Sequence, residues 1–127
     1  MTAKLMATVL VPGRASGPVL ALAHPLSLWG GVDPASGSIV EPSHPDHGNC
    51  IAGRILAMPA SRGSSSSSSV LAELLRGGVG PLGIILGEPD EILVVGAIVA
   101  RELYGTDCPV LLLDRDDYDR IGAWAYM

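Results

Sequence analysis

The run Pro59-Ala60-Ser61-Arg62-Gly63-Ser64-Ser65-Ser66-Ser67-Ser68-Ser69 carries the residue types best suited to chemistry in this sequence. It follows an apolar stretch, Ile55 to Met58, and precedes a helical pattern from Val70 to Arg76. A strand that feeds a Gly/Ser turn opening a helix builds an anion site. The first backbone N–H groups of the helix lack partners, and the helix dipole adds partial positive charge there. Arg62 adds a full positive charge. A serine hydroxyl at such a place can have its alkoxide stabilised and so can act as a base. The competing reading is a flexible polyserine spacer.

Other residues invite weaker readings. Trp29-Gly30-Gly31 can line a cleft, because paired glycines permit close approach to the backbone; a tight structural turn around a packed tryptophan explains it equally well. Asp33 suits a turn. Arg62 suits bidentate binding of a carboxylate, with a salt bridge as the alternative. Arg54 reads as structural and Arg14 as surface. His24, His44 and His47, with Asp46, are joined by no cysteine or carboxylate set of metal-site spacing, so no metal is expected on this chain. A subunit contact suits His44-Pro45 at least as well. Cys50 and Cys108 are far apart and outside any CxxC pattern, which excludes a disulfide framework and falls short of a cluster ligand set.

The elements that must position these groups follow from periodicity. Ala7 to Val11, Val19 to Ala23, Arg54 to Met58, Gly83 to Leu86 and Val110 to Leu113 read as strands. Ser38 to Val40 returns from a turn at Asp33 to Gly37, making a hairpin. Pro42 to Gly48 is a loop. Val70, Leu71, Leu74 and Leu75 form one helical face that stops at Gly77-Gly78. A second helix opens around Glu88-Pro89-Asp90-Glu91, runs to Tyr104 and stops at Gly105. Asp114 to Arg120 is a polar helical segment. Strands and hairpins in front, with strands and helices alternating behind, predict an α/β domain, either a compact barrel or a layered sheet.

Composition sets the bounds. The 127 residues fit a single domain, 1–127. Hydrophobic residues reach 48%, charged residues 17%, and mean hydropathy is +0.40, so a packed core is expected and some apolar surface should meet a partner. With no Phe and 4% aromatics, that core must be aliphatic. Eight Lys and Arg against 13 Asp and Glu leave a net charge of -5, and the absence of a basic stripe argues against nucleic acid. The longest apolar run, Ile92 to Ala100, falls short of the roughly 20 residues a bilayer span needs, so no membrane is expected. Unpaired cysteines and the lack of a leader pattern suit a reducing, cytoplasmic setting.

Several blocks together resemble one family. Leu28-Trp29-Gly30-Gly31-Val32-Asp33-Pro34 with Gly37, then His44-Pro45, Gly48 and Ala52-Gly53-Arg54-Ile55-Leu56, then Arg62-Gly63-Ser64-Ser65, and finally Asp90-Glu91-Ile92-Leu93, Gly96, Ala97 and Ala100 are similar, in order, to the small subunit or swivelling domain of aconitase X. The likeness covers roughly residues 7 to 113.

The resemblance implies a swivelling β/β/α domain that closes over a larger, iron–sulfur-bearing large subunit. The cluster, two-iron or four-iron, is expected there and not on this chain. It implies hydro-lyase chemistry on a small hydroxy acid, either cis-3-hydroxy-L-proline, which is favoured, or mevalonate 5-phosphate. Such a small subunit is inactive alone and works as part of a heteromer. Ser64 follows Gly63 as the catalytic serine follows glycine in the aconitase superfamily, which makes Ser64 the expected base and Ser65 the alternative. Arg62, Gly63, Ser65, Ser66, Trp29, Gly30 and Gly31 are the expected substrate-binding set. Conventional aconitases carry an arginine two positions after the base; Ser66 stands there in this sequence. A non-catalytic α/β module that binds an anion at the same turn is the reading from another class.

Overall fold

The computed structural model describes residues 5–61, 65–121 and 126. Five short strands form one sheet: β1 Thr8–Val11, β2 Val19–Ala21, β3 Ile55–Met58, β4 Gly83–Leu86 and β5 Val110–Leu112. Their order across the sheet is β1-β5-β4-β3-β2. β2 to β5 run parallel, and β1 joins β5 antiparallel with a register irregularity between Val9 and Val11. Four helices accompany them: α1 Leu28–Gly31, α2 Ser66–Arg76, α3 Glu91–Tyr104 and α4 Arg115–Ile121. Parallel neighbours cannot be joined by a tight turn. α2 therefore carries the chain from β3 to β4, and α3 carries it from β4 to β5.

The central strands are buried on both faces, which explains their unbroken apolar runs. Alternation splits the core in two. Leu56, Met58, Ile84 and Leu86 point to the side where Leu71, Leu74 and Leu75 of α2 and Leu93, Ala97 and Ala100 of α3 pack. Ile55, Ala57 and Ile85 point to the other side, where they meet Leu113, Tyr118 and Ile121. The largest fully buried side chains are all Leu, Ile or Met, in keeping with a chain that has no Phe. Tyr118 pins α4 to the end of β2: its hydroxyl donates to the Leu22 carbonyl at 2.8 Å, and burial pushes the phenol pKa up.

The α/β class is as the sequence predicts, as a layered sheet. The two front-half strands form the edges of the same sheet that the back half fills. The expected hairpin is reduced to isolated bridges, Val32 with Ile39 and Ser38 with Cys50. Its turn is fastened by Asp33, which accepts from the Ala35 N–H and the Ser36 hydroxyl, each at 3.0 Å. α3 matches its expected bounds closely: Asp90 caps it by accepting from the N–H groups of Ile92 and Leu93, and Gly105 closes it. Among the described residues, no helix is long and apolar enough to cross a membrane.

Cys108 lies in the core, and burial pushes its thiol from 9.0 up to about 12. A folded thiol with a raised pKa stays protonated while the unfolded one ionises. Stability is therefore lost as pH rises from about 9 to about 12, by up to about 1.4 kcal/mol per pH unit. Urea melts across this window should show the wild-type chain losing stability more steeply than Cys108→Ala. Equal slopes would mean that Cys108 is not protected from ionisation.

Candidate functional site

The serine run leaves the carboxyl end of β3, the edge of an open parallel sheet where ligands commonly bind. Before the turn, Ser61 is held by a parallel bridge to Leu26. After it, Ser65 enters α2 with helical φ −58° and ψ −19°, and its carbonyl accepts from the Ser68 N–H at 3.2 Å and the Ser68 hydroxyl at 2.8 Å. Arg62, Gly63 and Ser64, the centre of the expected site, lie outside the described residues. Ser65 and Ser66 are exposed at the opening of the helix.

α2 begins at Ser66, four residues before the Val70 start that apolar spacing predicts. The serines are therefore largely helical rather than a turn. The reason is tertiary. Ser67 falls in phase with Leu71 and Leu74 on the inward face and is only 1% exposed. Its hydroxyl accepts the Trp29 N–H at 3.3 Å. This contact joins two expected site segments that lie 38 residues apart in the chain. Extending the helical phase backwards from Leu71 would have placed Ser67 inside; poor serine helix propensity hid it.

The Trp29 segment is a single distorted turn. Trp29 has ψ 117° and Gly30 has φ +80°, a left-handed conformation that favours glycine. The Trp29 carbonyl accepts from the Ser27 hydroxyl at 2.9 Å. The Trp29 indole is 58% exposed. A Cβ at Gly30 would meet nothing within 4 Å, so a ligand can approach the backbone there. Gly31 is buried: a Cβ there would come 3.3 Å from Leu26, and its carbonyl accepts from Val40 and Glu41.

α3 sets the position of α2. A Cβ at Gly96 would stand 2.7 Å from the Ser68 carbonyl oxygen and 3.2 Å from the Ser68 Cα. Only glycine lets α3 approach the first turn of the serine helix this closely.

The remaining candidates fall elsewhere. His44 is turned inward at 6% exposure; its Nδ1 accepts from the Asp46 N–H at 3.0 Å, and its Nε2 faces the His24 carbonyl at 3.4 Å. It latches the 41–48 loop from within, whereas Pro45 is exposed. Among the described residues, no three His, Cys, Asp or Glu side chains gather where they could hold a metal. Cys50 donates to the Ser36 carbonyl and Cys108 is in the core, so the two thiols do not form a cluster site. A cleft of about 590 Å³ opens at the amino ends of β3 to β5, between Arg14, Ile55, Ile85 and Leu111. Its lining is chiefly apolar and offers no base, so the chemistry points to the serine edge instead.

A mixed sheet with crossover helices and a serine helix opening at the strand ends defines an α/β domain. The chain belongs to the aconitase X swivel domain family, whose description matches residues 4–125. It is 48% identical over 117 residues to a cis-3-hydroxy-L-proline dehydratase of Pseudomonas aeruginosa, covering 92% of this chain and 20% of that protein. It is 34% identical over 114 residues to a phosphomevalonate dehydratase small subunit of Methanothermobacter thermautotrophicus, covering 90% of this chain and 81% of that one. The crystal structure of Thermococcus kodakaraensis aconitase X in its holo-form superposes with a TM-score of 0.74 at 34% identity, covering 83% of this chain and 76% of that one. The chain thus spans about a fifth of the Pseudomonas relative and most of the archaeal small subunit.

Gly96→Ala tests how the site is positioned. Helix propensity favours alanine by about 1 kcal/mol. Overpacking costs about 1–3 kcal/mol, and the atom met here is backbone that cannot swing away. Contact with backbone sets that cost toward the upper end of its range, so the overpacking wins: urea denaturation should show a net loss of up to about 2 kcal/mol. Unchanged or increased stability would show that α2 and α3 are not in this close contact.

Proposed function

We propose that this chain is the swivelling small subunit, or the equivalent part, of an aconitase X type hydro-lyase that dehydrates cis-3-hydroxy-L-proline. The observation that carries this reading is the hydrogen bond from Trp29 to Ser67, which brings the Trp-Gly-Gly segment to the opening of the serine helix. The 48% identity to a cis-3-hydroxy-L-proline dehydratase supports the substrate. The similarity to phosphomevalonate dehydratase small subunits supports mevalonate 5-phosphate as the second candidate.

In this reading Ser64 is the base. As its alkoxide it takes a proton from one substrate carbon. The electron pair of that C–H bond becomes the new double bond, and hydroxide leaves the neighbouring carbon. Ser64 then returns its proton to solvent. A serine hydroxyl is a poor base unless preorganised donors stabilise the alkoxide. The N–H groups of Ser65 and Ser66, the dipole of the 11-residue α2 and the Arg62 cation supply that stabilisation. Arg62 also suits the substrate carboxylate. The exposed Trp29 indole forms a wall, and the open backbone at Gly30 lets the substrate approach. An iron–sulfur cluster, held by the large subunit and not by this chain, would supply Lewis-acid assistance to the departing hydroxyl. Exposed apolar groups such as Trp29, Val95, Ile98 and Leu103 suit a chain covered in part by that partner, in a reducing cytoplasm.

Ser64→Ala in the assembled enzyme should lower turnover at least about 100-fold, the least that loss of a general base costs, with circular dichroism and partner binding unchanged. Retention of nearly full turnover would remove Ser64 from the mechanism, and an equal loss seen only in Ser65→Ala would move the base by one residue.

A further inference from the structure

We propose that Ser67 is a positioning residue of this site: its buried hydroxyl fastens the Trp29–Gly31 segment to the serine helix, so that the substrate wall keeps its place beside the opening of α2. The inference rests on the dehydratase reading and assigns a role to a serine outside the expected set.

The Trp29 segment cannot hold itself in place. α1 has four residues, and the dihedrals of Trp29 and Gly30 break its helical geometry. A first-turn N–H has no partner within its own helix. The two peptide groups of Trp29 are held by two serines. Ser27 holds the carbonyl locally and so fixes only the shape of the turn. Ser67 holds the N–H from α2 and so fixes where the turn lies relative to the first turn of α2. At 1% exposure, Ser67 cannot be replaced as acceptor by bulk water. Its neighbours Ser65, Ser66 and Ser69 are exposed, so the serines of the run are not equivalent. Removing the acceptor frees the wall while leaving the opening of α2 in place. Substrate binding should therefore suffer more than the chemical step.

In the assembled enzyme, Ser67→Ala should raise KM about tenfold, the worth of roughly one hydrogen bond, while kcat stays within about threefold. Ser67→Thr, which keeps the hydroxyl, should restore KM. In the ¹⁵N-labelled chain, the Trp29 amide resonance should shift and its solvent exchange should speed up in Ser67→Ala. If the alanine variant fails to fold, Ser67→Cys keeps the side-chain size with a weaker acceptor and should give the same two changes. An unmoved Trp29 amide with unchanged KM would overturn the proposal, as would a loss confined to kcat. If the wild-type complex dehydrates neither substrate, the functional reading fails by itself, and the Trp29 amide alone decides whether Ser67 fastens the segment.

Discussion

The close approach of α3 to α2 at Gly96 is the constraint on which the site depends. With no Cβ there, the Ser68 backbone rests against α3, and the first turn of the serine helix is set by a rigid, 14-residue neighbour. From that turn Ser67 reaches Trp29, and through Trp29 the distorted segment beside it takes its place. Gly31 then passes the constraint to the next loop through its carbonyl, which accepts from Val40 and Glu41. His44 latches the same loop from the inside. A chain of close packing and single hydrogen bonds thus runs from the core to an exposed edge.

The sheet explains why that edge is where chemistry can occur. β3 is buried on both faces, so its carboxyl end is held firmly. Beyond it, Ser61 bridges to Leu26, and the Ser65 carbonyl accepts from the Ser68 N–H. The cleft of about 590 Å³ at the opposite ends of the strands is chemically plain. Volume is therefore a poorer guide here than the direction of the helix start and the chemistry of its residues.

Much of this was legible in the sequence. The short apolar runs of β3, β4 and β5, bounded by Gly and Pro, read as strands, and Asp90 with Gly105 brackets α3 through ordinary capping chemistry. The blocks around Trp29 and Ser64 carried the family. Four features were not legible, each for a tertiary reason. Polyserine has weak helix propensity, so only packing against α3 reveals that α2 starts at Ser66. The burial of Ser67 depends on that same start. The placement of β1 and β2 at opposite edges of the sheet is a long-range pairing that periodicity cannot encode. His44, which local sequence presents as an exposed Pro-flanked loop residue, turns inward because its ring satisfies a backbone N–H.

The central claim is that this chain contributes to a dehydratase shared with a cluster-bearing partner. The most direct test is to tag the protein in its own cells, purify it gently, measure iron, and assay the material with cis-3-hydroxy-L-proline and with mevalonate 5-phosphate. The account predicts iron, a large partner or fused body, and turnover of the hydroxyproline. A chain that purifies alone, without iron, and turns over neither substrate would contradict it.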